Sequence, residues 1–246
     1  MKTHTLIGTS EVQERTVDSA VQAAVNQFLE ANALWRQCRK IWSADSRTQL
    51  EMDFDLRKKR KTIPASELEE LEEKVKQSAE VFQTLAIELN RLQSNYYAAA
   101  EILAGQSAID NSLQIALISH AAAECKVNQS NQTLDQAVFN GSYFDDSTLA
   151  YAEALQLTEQ QSKDCWDALL VVARQLVEVA SLVTIDDNAL HLYIRLLELE
   201  NSNHEFAANE NYAEPIDELF YEQWEAITAQ IPEAEAAFIA AASSNN

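Results

Sequence analysis

The stretch from Ser66 to Leu103, SELEELEEKVKQSAEVFQTLAIELNRLQSNYYAAAEIL, decides the fold. In it Leu68, Leu71, Val75, Ser78, Phe82, Leu85, Leu89, Leu92, Tyr96, Ala99 and Leu103 recur at alternating intervals of three and four residues. That spacing lines them up along one side of an α-helix, and charged and amide residues fill most of the other positions. A seam sustained over this length is the pattern of coiled-coil-like packing. Pro64 and a capping box of Ser66 with Glu69 predict the start of this helix, and Gly105 predicts a left-handed stop. At 1.5 Å per residue the element is roughly 55 to 60 Å long.

Working outward, the same alternation recurs on both sides. Upstream, Val17, Val21, Ala24, Phe28, Ala31, Trp35, Cys38 and Trp42 form a first row, with Ser10 and Gln13 as its opening capping box. The row weakens from Asp45 to Asp55, where Leu50 and Leu56 can carry the helix farther. Downstream, Ile109, Leu113, Ala116, His120, Ala123, Val127, Ser130, Leu134 and Ala137 give a third row that ends at Asn140-Gly141. A fourth, starting near Asp146 or Ser147, runs through Leu155, Thr158, Ser162, Cys165, Leu169, Val172, Leu176, Val179 and Val183. The connections after Gly105 and Asn140 are short, which makes neighbouring helices antiparallel.

The last quarter reads differently. Asp187 caps a shorter helix to about Glu200, a break is expected at Asn201-Ser-Asn203, and Glu214-Pro215 opens another helix carrying Ile216, Phe220, Trp224, Ile227 and Ile231. Pro232 is expected to end or kink it. The expected fold is all-α: an elongated antiparallel bundle of about four long helices over residues 1–184, with an acidic C-terminal helical cap over 185–246. The shortage of turn formers agrees, since the chain has three Gly and three Pro in 246 residues.

The formal net charge is −21, which disfavours direct nucleic-acid binding and broad contact with anionic membrane through long-range repulsion. A protein partner, basic or a second copy of the chain, fits better, although an acidic surface also serves solubility alone. Cys38, Cys125 and Cys165 are an odd set without a CxxC pair, so they read as small core residues. Met1 to Ser10 has no continuous apolar run, and the most apolar stretch, Cys165 to Ile185, is broken by Asp167, Arg174, Gln175 and Glu178. The expected compartment is the cytoplasm, with export by a signal-less route leaving no mark in the sequence.

No catalytic, cofactor or metal site is expected. A carboxylate-bridged di-metal bundle needs Glu-x-x-His, but Leu117, Asn188 and Asn201 stand three residues before His120, His191 and His204. His120 and Glu124 share a helical face, yet two residues do not make a site, and His120 lies in an apolar row.

Two features stand out as candidate interaction sites. The first is the basic run Arg57, Lys58, Lys59, Arg60 and Lys61, part of a cluster of nine of the 18 basic residues between Arg36 and Lys61. Its local reading is a helix C-terminus facing Glu67, Glu69, Glu70, Glu72 and Glu73 at the next N-terminus. Its functional reading is a dock for an acidic partner, one candidate being the C-terminal third of a neighbouring copy, where residues 164–246 carry 16 acidic groups against Arg174 and Arg195. The second feature is Leu192, Leu196 and Leu199, an apolar stripe on the far side of the helix from Leu190, Tyr193, Ile194 and Leu197. Such a helix is either sandwiched within the chain or uses one stripe between molecules.

Three function classes follow: a non-enzymatic interaction or assembly protein, a membrane-acting helical toxin or secreted effector component, and an acidic mimic that blocks a nucleic-acid-binding protein. The first agrees best with the long charged and apolar faces.

Overall fold

The computed structural model describes the backbone of residues 8–60, 62–107, 111–143, 149–210 and 218–244 and the side chains of 19–60, 62–107, 111–134, 155–207 and 220–244. The protein is all-helical, with six helices and no strand among the described residues. They are α1 (Gly8–Lys59), α2 (Ala65–Ala104), α3 (Ser112–Tyr143), α4 (Leu149–Ser181), α5 (Asn188–Glu210) and α6 (Glu218–Ser243). The chain divides into two compact units, residues 30–96 and residues 1–29 together with 97–246.

The 30–96 unit is a helical hairpin. Its pairings fall on α2 as they rise on α1: Trp35 stacks on Tyr96 at 5.4 Å between ring centroids, Trp42 on Phe82 at 5.5 Å, and Arg60 reaches Glu72 at 3.4 Å. The helices are therefore antiparallel. Each aromatic pair contributes about 0.5–1.5 kcal/mol beyond the area it buries. On α2, every member of the Leu68-to-Tyr96 row is buried or half-buried.

The facing row of α1 turns polar after Trp42, which is why its pattern fades. Asp45 and Gln49 point inward, and Trp42 Nε1, Asp45 Oδ2 and Gln49 Oε1 are buried without a hydrogen-bond partner among the described residues. The helix nevertheless continues to Lys59, carried by half-buried Leu56 and by a 2.8 Å ion pair from Lys59 to Asp55. Leu50 does not help: it faces solvent.

Two expected helix starts are displaced, and α2 stops at Ala104 as expected but with a different geometry at Gly105. α1 already runs from Gly8, so Ser10 lies inside its first turn, with side chains before residue 19 outside the described set. α2 begins at Ala65, where Leu68 N–H donates to Pro64 O at 3.0 Å, so Ser66 also sits inside the first turn and not at the cap. The fixed φ of Pro64 prepares that start without a side-chain cap. At the other end Gly105 N–H donates to Glu101 O, and Gly105 does not take the left-handed conformation.

In the larger unit α3 and α4 are antiparallel and packed through small residues. Ala123 and Val127 meet Leu169, with Cys165 and Val172 alongside, and Ser162 Oγ donates to Asn131 Oδ1 at 3.0 Å. Short side chains let two helix axes approach closely. Asn111 Oδ1 caps α3 by accepting from Leu113 N–H and Gln114 N–H, both at 3.1 Å. Leu117, Ala121 and Cys125 are also buried, so α3 is covered on a second face that its Ala-rich sequence does not announce. The helix also passes through Gly141 to Tyr143 instead of ending at Asn140.

Asp187 caps α5 as its sequence position suggests, Oδ1 accepting from Leu190 N–H at 3.0 Å. The expected break at Asn201-Ser-Asn203 does not occur, because these polar residues serve tertiary contacts. Asn203 Oδ1 accepts from Trp224 Nε1 at 2.7 Å and from Thr228 Oγ1 at 3.1 Å, while Phe206 packs on Phe220 at 4.9 Å. The helix α6 likewise continues through Pro232. A proline in a helix interior costs about 3 kcal/mol, and burial of Phe238 and Ala242 beyond it supplies the opposing gain.

Both stripes of α5 are covered inside the chain. Leu190, Tyr193, Ile194 and Leu197 are buried, and so are Leu196 at 0% exposure and Leu199 at 5%. Leu196→Glu therefore places a carboxylate where no water reaches, costing several kcal/mol or forcing its protonation. Thermal melting monitored by circular dichroism should show loss of the cooperative transition, or a large drop in Tm; a native curve would contradict the enclosure of this helix.

Candidate functional site

The C-terminal half of α1 carries two faces. Trp42, Asp45, Gln49, Met52 and Leu56 turn toward α2, whereas Lys40, Ser43, Arg47, Leu50, Phe54, Arg57 and Lys58 are all exposed. The second set also repeats at three and four residues, so it is a stripe along the outer face. Leu50 is 67% exposed and Phe54 68%. They stand one turn apart and form an apolar centre, with Arg47 before them and Arg57 and Lys58 after them. Arg47, Arg57 and Lys58 make no ion pair among the described residues, in contrast to Lys59 with Asp55 and Arg60 with Glu72.

The expected basic run thus divides. Lys59 and Arg60 are engaged locally, and Lys59 holds the Asp55 carboxyl below its ordinary range through a hydrogen bond and its charge. Arg57 and Lys58 belong to the outer stripe, and Lys61 lies outside the described residues. The five glutamates of early α2 are exposed; Glu72 faces Arg60 and Glu70 pairs with Lys74 at 2.7 Å. The partnership of Leu50 and Phe54 is hidden in the sequence because Leu50, with Leu56, also fits as an extension of the first row. Its signal is a second three-four row, offset from the first.

The Leu192 stripe lies elsewhere, in the larger unit. Leu196 and Leu199 are buried and Leu192 is half-buried, so the chain itself covers the stripe. The structure does not bring it together with the basic run.

The two units differ sharply in charge. The 30–96 hairpin contains twelve acidic and twelve basic residues and is formally neutral, so the remainder of the chain carries the whole −21.

The polar groups suited to chemistry are dispersed. Among the described residues no three His, Cys, Asp or Glu side chains gather to hold a metal. His120, 1% exposed, has Nε2 4.0 Å from Glu124 Oε1 and sits edge-on to the Tyr193 ring, inside the core. A groove between α3 and α4 is lined by Lys126, Ser130, Thr133, Asp164 and half-buried Cys165. The three cysteines are free, and Cys38 and Cys125 are buried. Burial, with Glu101 and Glu124 nearby, pushes the Cys125 thiol up to about 11. No helix among the described residues is long and apolar enough to cross a membrane. Comparison with protein-family models, with curated proteins and with solved structures finds no match for this chain.

Two outcomes follow. Replacing Lys58, Lys59 and Arg60 together with Gln should move Tm by less than about 4 °C, because exposed ion pairs add little stability; a larger loss in a melting experiment would show the run to be structural. For Cys125, ionisation is disfavoured in the folded state relative to the ordinary thiol value of 9.0. Its contribution to stability is accordingly complete below pH 9 and is lost as pH rises toward about 11. Alkylation by iodoacetamide at pH 8 should be far slower at Cys125 in the native chain than in the denatured chain, as read by peptide mass spectrometry.

Proposed function

We propose that this chain is a non-enzymatic interaction and assembly protein. In this reading its long antiparallel helices, packed along coiled-coil-like seams, form a stiff frame that presents charged and apolar faces to protein partners. The carrying observation is the outer stripe of α1: Leu50 and Phe54, both two-thirds exposed, flanked by Arg47, Arg57 and Lys58. An apolar side chain fully removed from water contributes about 1.5–3 kcal/mol, so a partner that covers this pair gains affinity at its centre. Cations around such a centre add orientation and speed of encounter more than affinity. Arginine is also among the types that dominate binding energy in interfaces, and phenylalanine is enriched there.

The stiffness of the presenting surface supports the same reading. The stripe lies on a helix braced by Trp35 on Tyr96 and Trp42 on Phe82, so docking on it orders little new backbone. No residue of this face needs to undergo a chemical change to act.

The test is the state of the protein in its native extract. Wild-type chain should run in an assembly heavier than a single chain, and Leu50→Ser combined with Phe54→Ser should return it to the mass of the free chain. A wild-type chain that runs alone, at native abundance and physiological salt, overturns the reading.

A further inference from the structure

Resting on that reading, we infer that the outer stripe of α1 docks on α4 of a second copy of this chain. The larger unit exposes a stripe of opposite character. On the outer face of α4, Asp164, Asp167, Ala168, Val171 and Glu178 are all exposed, with Val171 at 50%. Two α4 cations border this face: Arg174, paired with Glu205 of α5 at 2.9 Å, and exposed Lys163, one turn before Asp167.

The two stripes match in charge and in register. Arg47 and Lys58 are eleven residues apart on α1, and Asp167 and Glu178 are eleven residues apart on α4. Both intervals are three helical turns, about 16 Å. Between the charged ends α1 offers Leu50 and Phe54 with exposed Glu51 beside them, and α4 offers Ala168 and Val171 with Arg174 beside them. Laid against one another, the stripes place cations over carboxylates at both ends and apolar groups in the middle.

The charge division of the molecule favours this arrangement over contact between two larger units. Two bodies that each carry −21 repel, whereas the neutral hairpin meets no net repulsion and its outer cations are attracted. At physiological salt such fields reach about 8 Å, so the local match governs the contact. The contact joins different surfaces on the two copies and leaves each copy with one free stripe of either kind. Association is therefore between unlike surfaces, and it closes as a reciprocal pair or a ring or continues as an open chain.

Sedimentation velocity of the purified full chain over a rising concentration series tests this. The wild type should gain mass with concentration, to a dimer or beyond. Leu50→Ser with Phe54→Ser should weaken association about tenfold or more, with the helical spectrum unchanged because both side chains are exposed. Arg47→Glu with Lys58→Glu should weaken it as well, and so should Asp167→Lys with Glu178→Lys. An equimolar mixture of those two charge-reversed chains should associate again, since the acidic α1 stripe of one then meets the basic α4 stripe of the other.

A wild type that stays a single chain overturns the second copy as occupant. If the stripe-dependent assembly in native extract then persists, the occupant is a different acidic protein and the assembly reading stands; if it too is absent, both fall. Self-association that survives Leu50→Ser with Phe54→Ser, or a charge-reversed mixture that stays monomeric, also overturns the inference. Stripe-dependent co-sedimentation with phosphatidylserine vesicles by a chain that does not self-associate would assign the face to a lipid surface instead.

Discussion

The enclosure of Tyr193 is the contact on which the larger unit depends. This α5 side chain is fully buried, with Phe28 of α1 at 5.8 Å, His120 of α3 at 6.1 Å and Phe238 of α6 at 5.3 Å between ring centroids. One ring therefore touches three other helices, and two of the contacts are edge-on, the arrangement that aromatic quadrupoles prefer. An α5 apolar on two sides cannot stand in water, so helices must close around it. The continuation of α6 beyond Pro232 follows from the same constraint, because Phe238 lies past that proline.

The hairpin is held by another principle. Its cross-helix contacts are two aromatic stacks and a seam of half-buried aliphatics, interrupted by Asp45 and Gln49. A two-helix element has only one face to bury, and the opposite face of α1 is open from Lys40 to Lys58. Here Leu50 and Phe54 occupy it, and the apolar pair with its cations is a feature that packing inside the hairpin does not explain.

Charge is divided along the same boundary as the fold. The hairpin balances its acids and bases, while the rest of the chain keeps every unit of net negative charge. Like charge spread over a surface opposes self-association, and a neutral element with a local basic stripe is the part of such a molecule best able to approach another copy. The fold thereby links the two properties that the sequence shows separately, strong acidity and a basic cluster.

The sequence by itself determined that the chain is helical and where the long rows lie. Leu68 through Leu103 all turn inward, because three-four spacing fixes a face once a helix forms and few glycines or prolines interrupt it. It did not determine where helices stop: Gly141 and Asn201 to Asn203 read as breaks and Pro232 as an end or a kink, yet helix continues through each. At Asn201 to Asn203 and at Pro232 local propensity, worth about 1 to 3 kcal/mol, is outweighed by contacts made far along the chain, such as Trp224 on Asn203. Nor did it separate Leu50 from the core row or show α3 buried on two faces, since an Ala-rich helix has no polar side to mark. Only the tertiary structure decided which apolar residues are covered, because covering is a property of the neighbours and not of the row.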